Sequence, residues 1–401
     1  MAPYESENST TADETEDTRT GRGRAVRYVV PVAVVGVAAA TIGLVPALAA
    51  SGDPDLPKIT ARQLVEKIAA SDVEQLSGTV KVSTDLGLPD LGGLESSLGA
   101  DATGGGSSAD PTSKLTELAT GTHTLRVAAD GPDRSKVSLL EDAAEYSLIH
   151  NGKNVWGYDS KSNTVYHSTV SGDAAAQRDE GAELTPKQLT DQALKAADGT
   201  TSLSVDGTER VAGRDAYKLV IRPASSGAST VGRIAVAVDA KTGAPLKFTL
   251  TPAGGGAAAV DAGFTKVSFA KPAASTFDFT PPKGAKVTEG DSAAGAAKGH
   301  AERSGGPLGG GLDELDGAKV VGTGWNSVAT FDTGGKGVPS GSGGGEPGGF
   351  LASLGDRVSG DFGKGTVFST RLVNALVTDD GKVYVGAVNK AALVKVADAA
   401  N

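Results

Sequence analysis

Four histidines, His123, His150, His167 and His300, are the candidates for imidazole chemistry in this sequence. No two have the spacing that puts ligands on one helix face, and no H-E-x-x-H occurs, so zinc-assisted hydrolysis has no frame here. His150 and His167 lie beside expected hairpin turns, where a hydrogen-bonded or exposed imidazole is ordinary. Asp379-Asp380-Gly381 sets two carboxylates side by side as an acid–base pair would, yet Asp-Gly is first a hairpin turn. There is no G-x-S-x-G elbow, and the glycine-rich stretches lack the strand-to-helix setting that cradles phosphates. With no cysteine in the chain, thiol nucleophiles, disulfides, thiolate zinc sites and cysteine-borne lipid anchors all drop out. The expectation is a non-enzymatic protein with no metal and no cofactor.

The 401 residues carry 39% hydrophobic side chains, enough for a sizeable core, but only 4% aromatics. Val, Leu and Ala must therefore do most of the packing. The net charge of −10 disfavours nucleic acid as a partner, because phosphate neutralisation needs a basic surplus.

The first eighteen residues are acidic and without apolar period, which predicts a disordered tail over 1–27. Arg19, Arg22, Arg24 and Arg27 then precede a nearly uncharged run, 28–50. As a helix that run would reach about 34 Å, against a bilayer core of about 30 Å. Arginines before it and Asp53 and Asp55 after it place the N-terminus inside and the bulk outside the membrane. A retained single-pass anchor and a signal segment cleaved after Ala49, releasing a secreted protein, both remain open.

The elements beyond it read as follows. Thr60 and Gln63 form a capping box ahead of a helix with Leu64, Val65, Ile68 and Ala69 on one face. A strand follows through Val80 and Val82. Residues 86–120 read as a mobile loop inserted in this unit, with a short helix near Leu115 to Ala119. Alternating strands come next, with a hairpin signal at Asn151-Gly152 and a helix at 185–197 capped by Thr185. Strands resume to Phe277 and Phe279, which alternate as a strand of their own. Residues 289–317 read as a linker. The last unit, 318–401, reads as small α+β. It has a strand over 318–331, a helix through Phe350 to Val358, three strands between Thr366 and Val388, and a closing helix over about 390–399.

Three stretches carry a family likeness: LPKITARQLVEKIAASDVEQLSGTVKVSTDLGLPDL, EYSLIHNGKNVWGYDSKSNTVYH, and the later GRDAYKLVIRP with VAVDAKTGAPLKFTL and STFDFTPPKGAKV. In their order and alternation they resemble the LolA/LolB and RseB/MucB superfamily, nearest its actinobacterial LolA-like, sporulation-related members. The resemblance covers about 56–288. It implies an α+β fold in which a strongly curved antiparallel sheet over 51–288 forms a half-open β-barrel. Helices would lie across its concave side. It further implies an extracytoplasmic binder of lipid or acylated lipoprotein, a carrier or chaperone at the outer face of the membrane. An RseB-like envelope-sensing module bound to a membrane regulatory protein is the alternative, because actinobacterial relatives mostly lack the outer membrane that a shuttle would serve.

The candidate lining residues under this resemblance are Leu125, Val127, Val137, Leu139, Leu148, Trp156, Tyr158, Leu219, Ile234, Val236 and Phe248. The same alternation suits a core filled by its own side chains, and a one-residue slip would exchange the faces of a strand.

Overall fold

The computed structural model describes residues 53–87, 108–109, 111, 114, 117–169, 199–225, 227–290, 319–332 and 355–400. The expected membrane segment 28–50, the helix expected at 185–197 and most of the 86–120 insertion lie outside the described residues. Among the described residues, no helix is long and apolar enough to cross a membrane.

Helix α1, Ala61–Ala69, starts where its cap dictates. The Thr60 hydroxyl accepts from the Gln63 N–H at 3.2 Å, and the Gln63 side chain accepts from the Thr60 N–H at 2.9 Å. This closes two of the donors that a helix start leaves open. Its buried Leu64 packs against Tyr217, Leu219 and Val238.

Twelve strands form one sheet. They are β1 (Gln75–Thr84), β2 (Gly121–Asp130), β3 (Arg134–Leu140), β4 (Glu145–Asn151), β5 (Asn154–Asp159), β6 (Thr164–Thr169), β7 (Thr201–Val211), β8 (Arg214–Pro223), β9 (Val231–Asp239), β10 (Pro245–Pro252), β11 (Val260–Ser268) and β12 (Lys286–Glu289). Their spatial order is β12-β6-β5-β4-β3-β2-β1-β11-β10-β9-β8-β7. Two meanders therefore meet at the β1–β11 pair. The sheet is open, ending at β7 on one side and on the other at β12, which pairs in parallel with β6.

The β9–β10 turn shows why local sequence decides the geometry. Asp239, almost wholly buried, accepts from the N–H groups of Lys241 (3.0 Å) and Thr242 (2.7 Å) and pairs with Arg214. Burial would raise its carboxyl. The Arg214 and Thr242 hydrogen bonds and the Arg214 charge outweigh that and hold it below the usual carboxylate range. Gly243 closes the turn at φ +76°, and a Cβ there would lie 2.3 Å from the Lys67 carbonyl oxygen. Only glycine meets both demands.

A second, antiparallel sheet holds β13 (Lys319–Val321), β14 (Val328–Asp332), β15 (Asp356–Gly360), β16 (Gly363–Ser369), β17 (Asn374–Thr378) and β18 (Lys382–Gly386), in the order β13-β14-β18-β17-β16-β15. Helix α2, Lys390–Ala399, is capped by Asn389 and packs Leu393 and Ala397 onto Val328, Leu376 and Tyr384.

Three local expectations change. The single strand expected over 318–331 is two strands separated by a one-turn 3₁₀ helix, Gly324–Asn326. Val358 belongs to β15, not to a helix; its alternating neighbours Arg357 and Ser359 let it sit on a strand face. Phe277 and Phe279 are not in a strand. They follow the 3₁₀ turn Ala274–Thr276 in a strap that crosses to β12.

Candidate ligand-binding face

Residues directly opposite in an antiparallel pair point to the same side of a sheet. Followed strand by strand, the register joins Val205, Leu219, Val236, Phe248, Ala262, Val82 and His123 into one continuous row from β7 to β2. The row beside it on the same face runs Leu203, Ile221, Ile234, Leu250, Val260, Thr84. Farther along, Leu125 meets Leu139 and Val127 meets Val137, and these continue to Tyr146 and Leu148. No charged residue stands in these rows.

Leu125, Val127, Val137, Leu139, Leu148, Leu219, Ile234, Val236 and Phe248 thus share the face that bears α1. Trp156 and Tyr158 do not. Leu148 pairs with Gly157, whereas Trp156 pairs with Ile149 and Tyr158 with Ser147, on the opposite face. There Trp156 stacks on His167 at 3.8 Å, and both aromatics meet Phe279 of the strap at 5.5 and 5.6 Å. Both pack on that strap rather than on the α1 face.

The α1 face is covered at three places. Helix α1 covers Leu219, Tyr217 and Val238. Leu118 joins Leu125, Leu139, Tyr146 and Leu148. At the end nearest the second sheet, Trp325 and Leu372 pack with Ile234 and Leu250. Leu125, Leu139 and Leu219 are consequently buried, Val127 is buried as well, and Val82, Val137, Leu148, Ile234, Val236 and Phe248 stay partly exposed. The uncharged surface between the covers is the feature that could accept an apolar chain.

Polar groups staple the cover over β3–β6. Pro111, Lys114 and Glu117 are helical. The Lys114 ammonium pairs with Glu141 at 2.8 Å and Glu117 at 3.0 Å, and lies 5.7 Å from the centre of the Tyr146 ring. Partial burial would lower the Lys114 pKa, but the hydrogen bonds to the two glutamates raise it overall. The Tyr146 hydroxyl donates to the Ala109 carbonyl at 3.1 Å. Ser108 bonds Ser162 and Thr164, both at 2.8 Å. Asp159 is opposed by its burial, yet it is held low by Ser162, the Lys161 N–H, Ser108 and the Lys114 charge.

The second sheet is fastened by polar side chains that reach both backbone carbonyls and side chains of the first. Arg371 pairs with Asp85 at 2.6 Å and donates to the carbonyls of Asp85 and Ala257. The Trp325 indole N–H donates to the Thr201 hydroxyl at 2.8 Å. Asn389 donates its side-chain amide to the Gly227 carbonyl at 2.9 Å.

Among the described residues, His123, His167, Asp379 and Asp380 are each engaged by a partner of their own. His123 bonds the Thr120 carbonyl, and His167 pairs with Glu289. Asp379 pairs with Arg357, while Asp380 accepts from the Thr378 hydroxyl inside the β17–β18 hairpin. Among the described residues, no three His, Cys, Asp or Glu side chains gather as metal ligands do.

No family model matches the chain, and neither does any curated protein. Solved structures do show likeness. The Pseudomonas aeruginosa MucA/MucB complex is similar at 17% identity and TM-score 0.39, over 84% of this chain and 96% of that one. A LolA superfamily protein from Nitrosomonas europaea is similar at 12% identity and TM-score 0.22, over 55% and 99%. A putative outer membrane lipoprotein-sorting protein domain from Vibrio parahaemolyticus is similar at 10% identity and TM-score 0.20, over 52% and 91%. At such identities and scores, function has to be argued from this chain's own residues.

Proposed function

We propose that this protein is a non-enzymatic binder of lipid or acylated lipoprotein, and that the α1 face of the large sheet receives the acyl chain. One observation carries the reading: an uncharged row from Val205 to Val82 crosses six neighbouring strands, and its middle members Val236 and Phe248 remain partly exposed. Burying a methylene contributes about 0.8 kcal/mol, so a long chain laid along the row could gain roughly 10 kcal/mol before ordering costs. The same reading has the apolar run 28–50 tether the described sheets to the outer face of a membrane, or release them there. The half-open barrel belongs to the same proposal, as the shape that would make the face a cup.

A second reading, a sensing module that reports to a membrane protein, is favoured by one contact. Trp325 and Leu372 of the second sheet close one end of the apolar face, so an occupant there would meet both units. The test is to purify the full chain from membranes, extract it with solvent and identify bound lipid by mass spectrometry. Stoichiometric acyl lipid supports the binder. Its consistent absence, with no uptake of added phospholipid, contradicts it.

A further inference from the structure

The opposite face of the same strands carries a different row. Lys218 pairs with Ala237, Ala237 with Lys247, Lys247 with Gly263, Gly263 with Lys81, and Lys81 with Thr124. Every second strand from β8 to β1 therefore presents a lysine in one line. With strands about 4.8 Å apart, the lysine-bearing strands are roughly 10 Å from each other. Gly263 makes this possible locally. A Cβ there would fall 3.0–3.3 Å from the Lys247 side-chain carbons, so the Lys247 stem lies across a residue without one. Arg126 and Lys266, both opposite Thr79, extend the patch. Asp261 pairs with Lys247 at 2.9 Å. Lys81, Lys218, Lys266 and Arg126 have no ion pair with a described residue.

Like charges at this spacing repel within one Debye length, about 10 Å at 0.1 M salt. A chain of net charge −10 has carboxylates enough to neutralise such a cluster, yet among the described residues only Asp261 pairs with it. We infer that this lysine face docks on an anionic lipid surface, through phosphate headgroups. Between the lysines the row itself holds Gly263 and Ala237, the latter buried in a cluster with Leu246 that Phe264 and Phe269 pack against, and no aromatic stands in the row. That suits a two-dimensional array of headgroups better than bases, which need stacking partners. The inference goes beyond the acyl-binding reading and stands without it.

The test uses the full chain, with vesicles of phosphatidylcholine alone and with about one third phosphatidylglycerol. The apolar run 28–50 and its arginines are the same in every variant, so the differences report the lysine face. The combined variant Lys81→Gln, Lys218→Gln, Lys266→Gln is expected to lose roughly tenfold or more in affinity for the anionic vesicles and nothing for phosphatidylcholine. Asp261→Asn, which releases Lys247, is expected to bind anionic vesicles more tightly, a gain that misfolding does not produce. Equal binding by the triple variant and the natural chain overturns the inference. So does tighter binding to duplex DNA than to anionic vesicles.

Discussion

A Cβ on Gly157 would lie 2.4 Å from the carbonyl oxygen of Ala109, and Ala109 is fully buried. The absent side chain is the seat in which the segment before the Lys114 helix rests on β5. Gly157→Ala must move backbone, not a flexible side-chain tip. We expect a loss of about 1–3 kcal/mol in urea unfolding. Hydrogen exchange should also quicken at 108–120 ahead of the rest of the sheet. Unchanged exchange there would mean that the segment is not seated on Gly157.

Replacing Asp239 with Asn removes the charge that Arg214 and the β9–β10 turn share. The expected cost is about 2–3 kcal/mol at neutral pH, for a buried carboxylate that accepts several hydrogen bonds. Its folded pKa is depressed, so its stabilisation is present above the unfolded value near 3.9 and fades as pH falls through the folded one. Stability measured against pH should therefore drop less steeply in acid for Asp239→Asn than for the natural chain. A parallel acid profile would remove Asp239 as a source of the acid sensitivity.

Tryptophan at two positions separates a receptive face from a filled one. Leu139 is buried in the Leu125–Tyr146 cluster, so Leu139→Trp overpacks it and should cost more than about 2 kcal/mol in stability. Val236 is partly exposed in the middle of the row, so Val236→Trp should fold and lose lipid. Thermal melts paired with lipid extraction check both. If Val236→Trp collapses as Leu139→Trp does, that part of the sheet is packed core.

Much of this was legible in the sequence because it is local. The Thr60–Gln63 capping box, the Asp380-Gly381 turn and the closing helix depend on residues a few positions apart. The sidedness of β5 was legible too, since Asn151 pairs with Asn154 around a two-residue turn. Such a turn sets Leu148 opposite an odd-numbered residue, so Trp156 and Tyr158 must take the other face. The Trp325, Leu372 and Arg371 contacts with the large sheet were not legible. They join residues more than a hundred positions apart, Arg371 onto the carbonyls of Asp85 and Ala257 and Trp325 onto the Thr201 hydroxyl, and no local pattern marks such partners. Gly157 between two aromatics was the one signal of a close approach.

Arg371 fastens the second sheet to the first. Arg371→Ala removes its ion pair with Asp85 and its bonds to the carbonyls of Asp85 and Ala257. The expected loss is about 1–3 kcal/mol for that contact. Only Trp156 and Trp325 occur in the chain, so in a Trp156→Phe background the emission reports Trp325 alone. Adding Arg371→Ala should shift it to the red as the indole meets water. An unshifted spectrum would show that the other contacts suffice.

The most direct test of the acyl-binding face is a phospholipid carrying a photoactivatable diazirine on its acyl chain, bound to the full chain and cross-linked. Peptide mass spectrometry then locates the adducts. Adducts on Val236, Phe248 and Val82, absent in Val236→Trp, are the predicted result. Adducts confined to the Lys81–Lys247 side of the sheet, or scattered without regard to face, would contradict it.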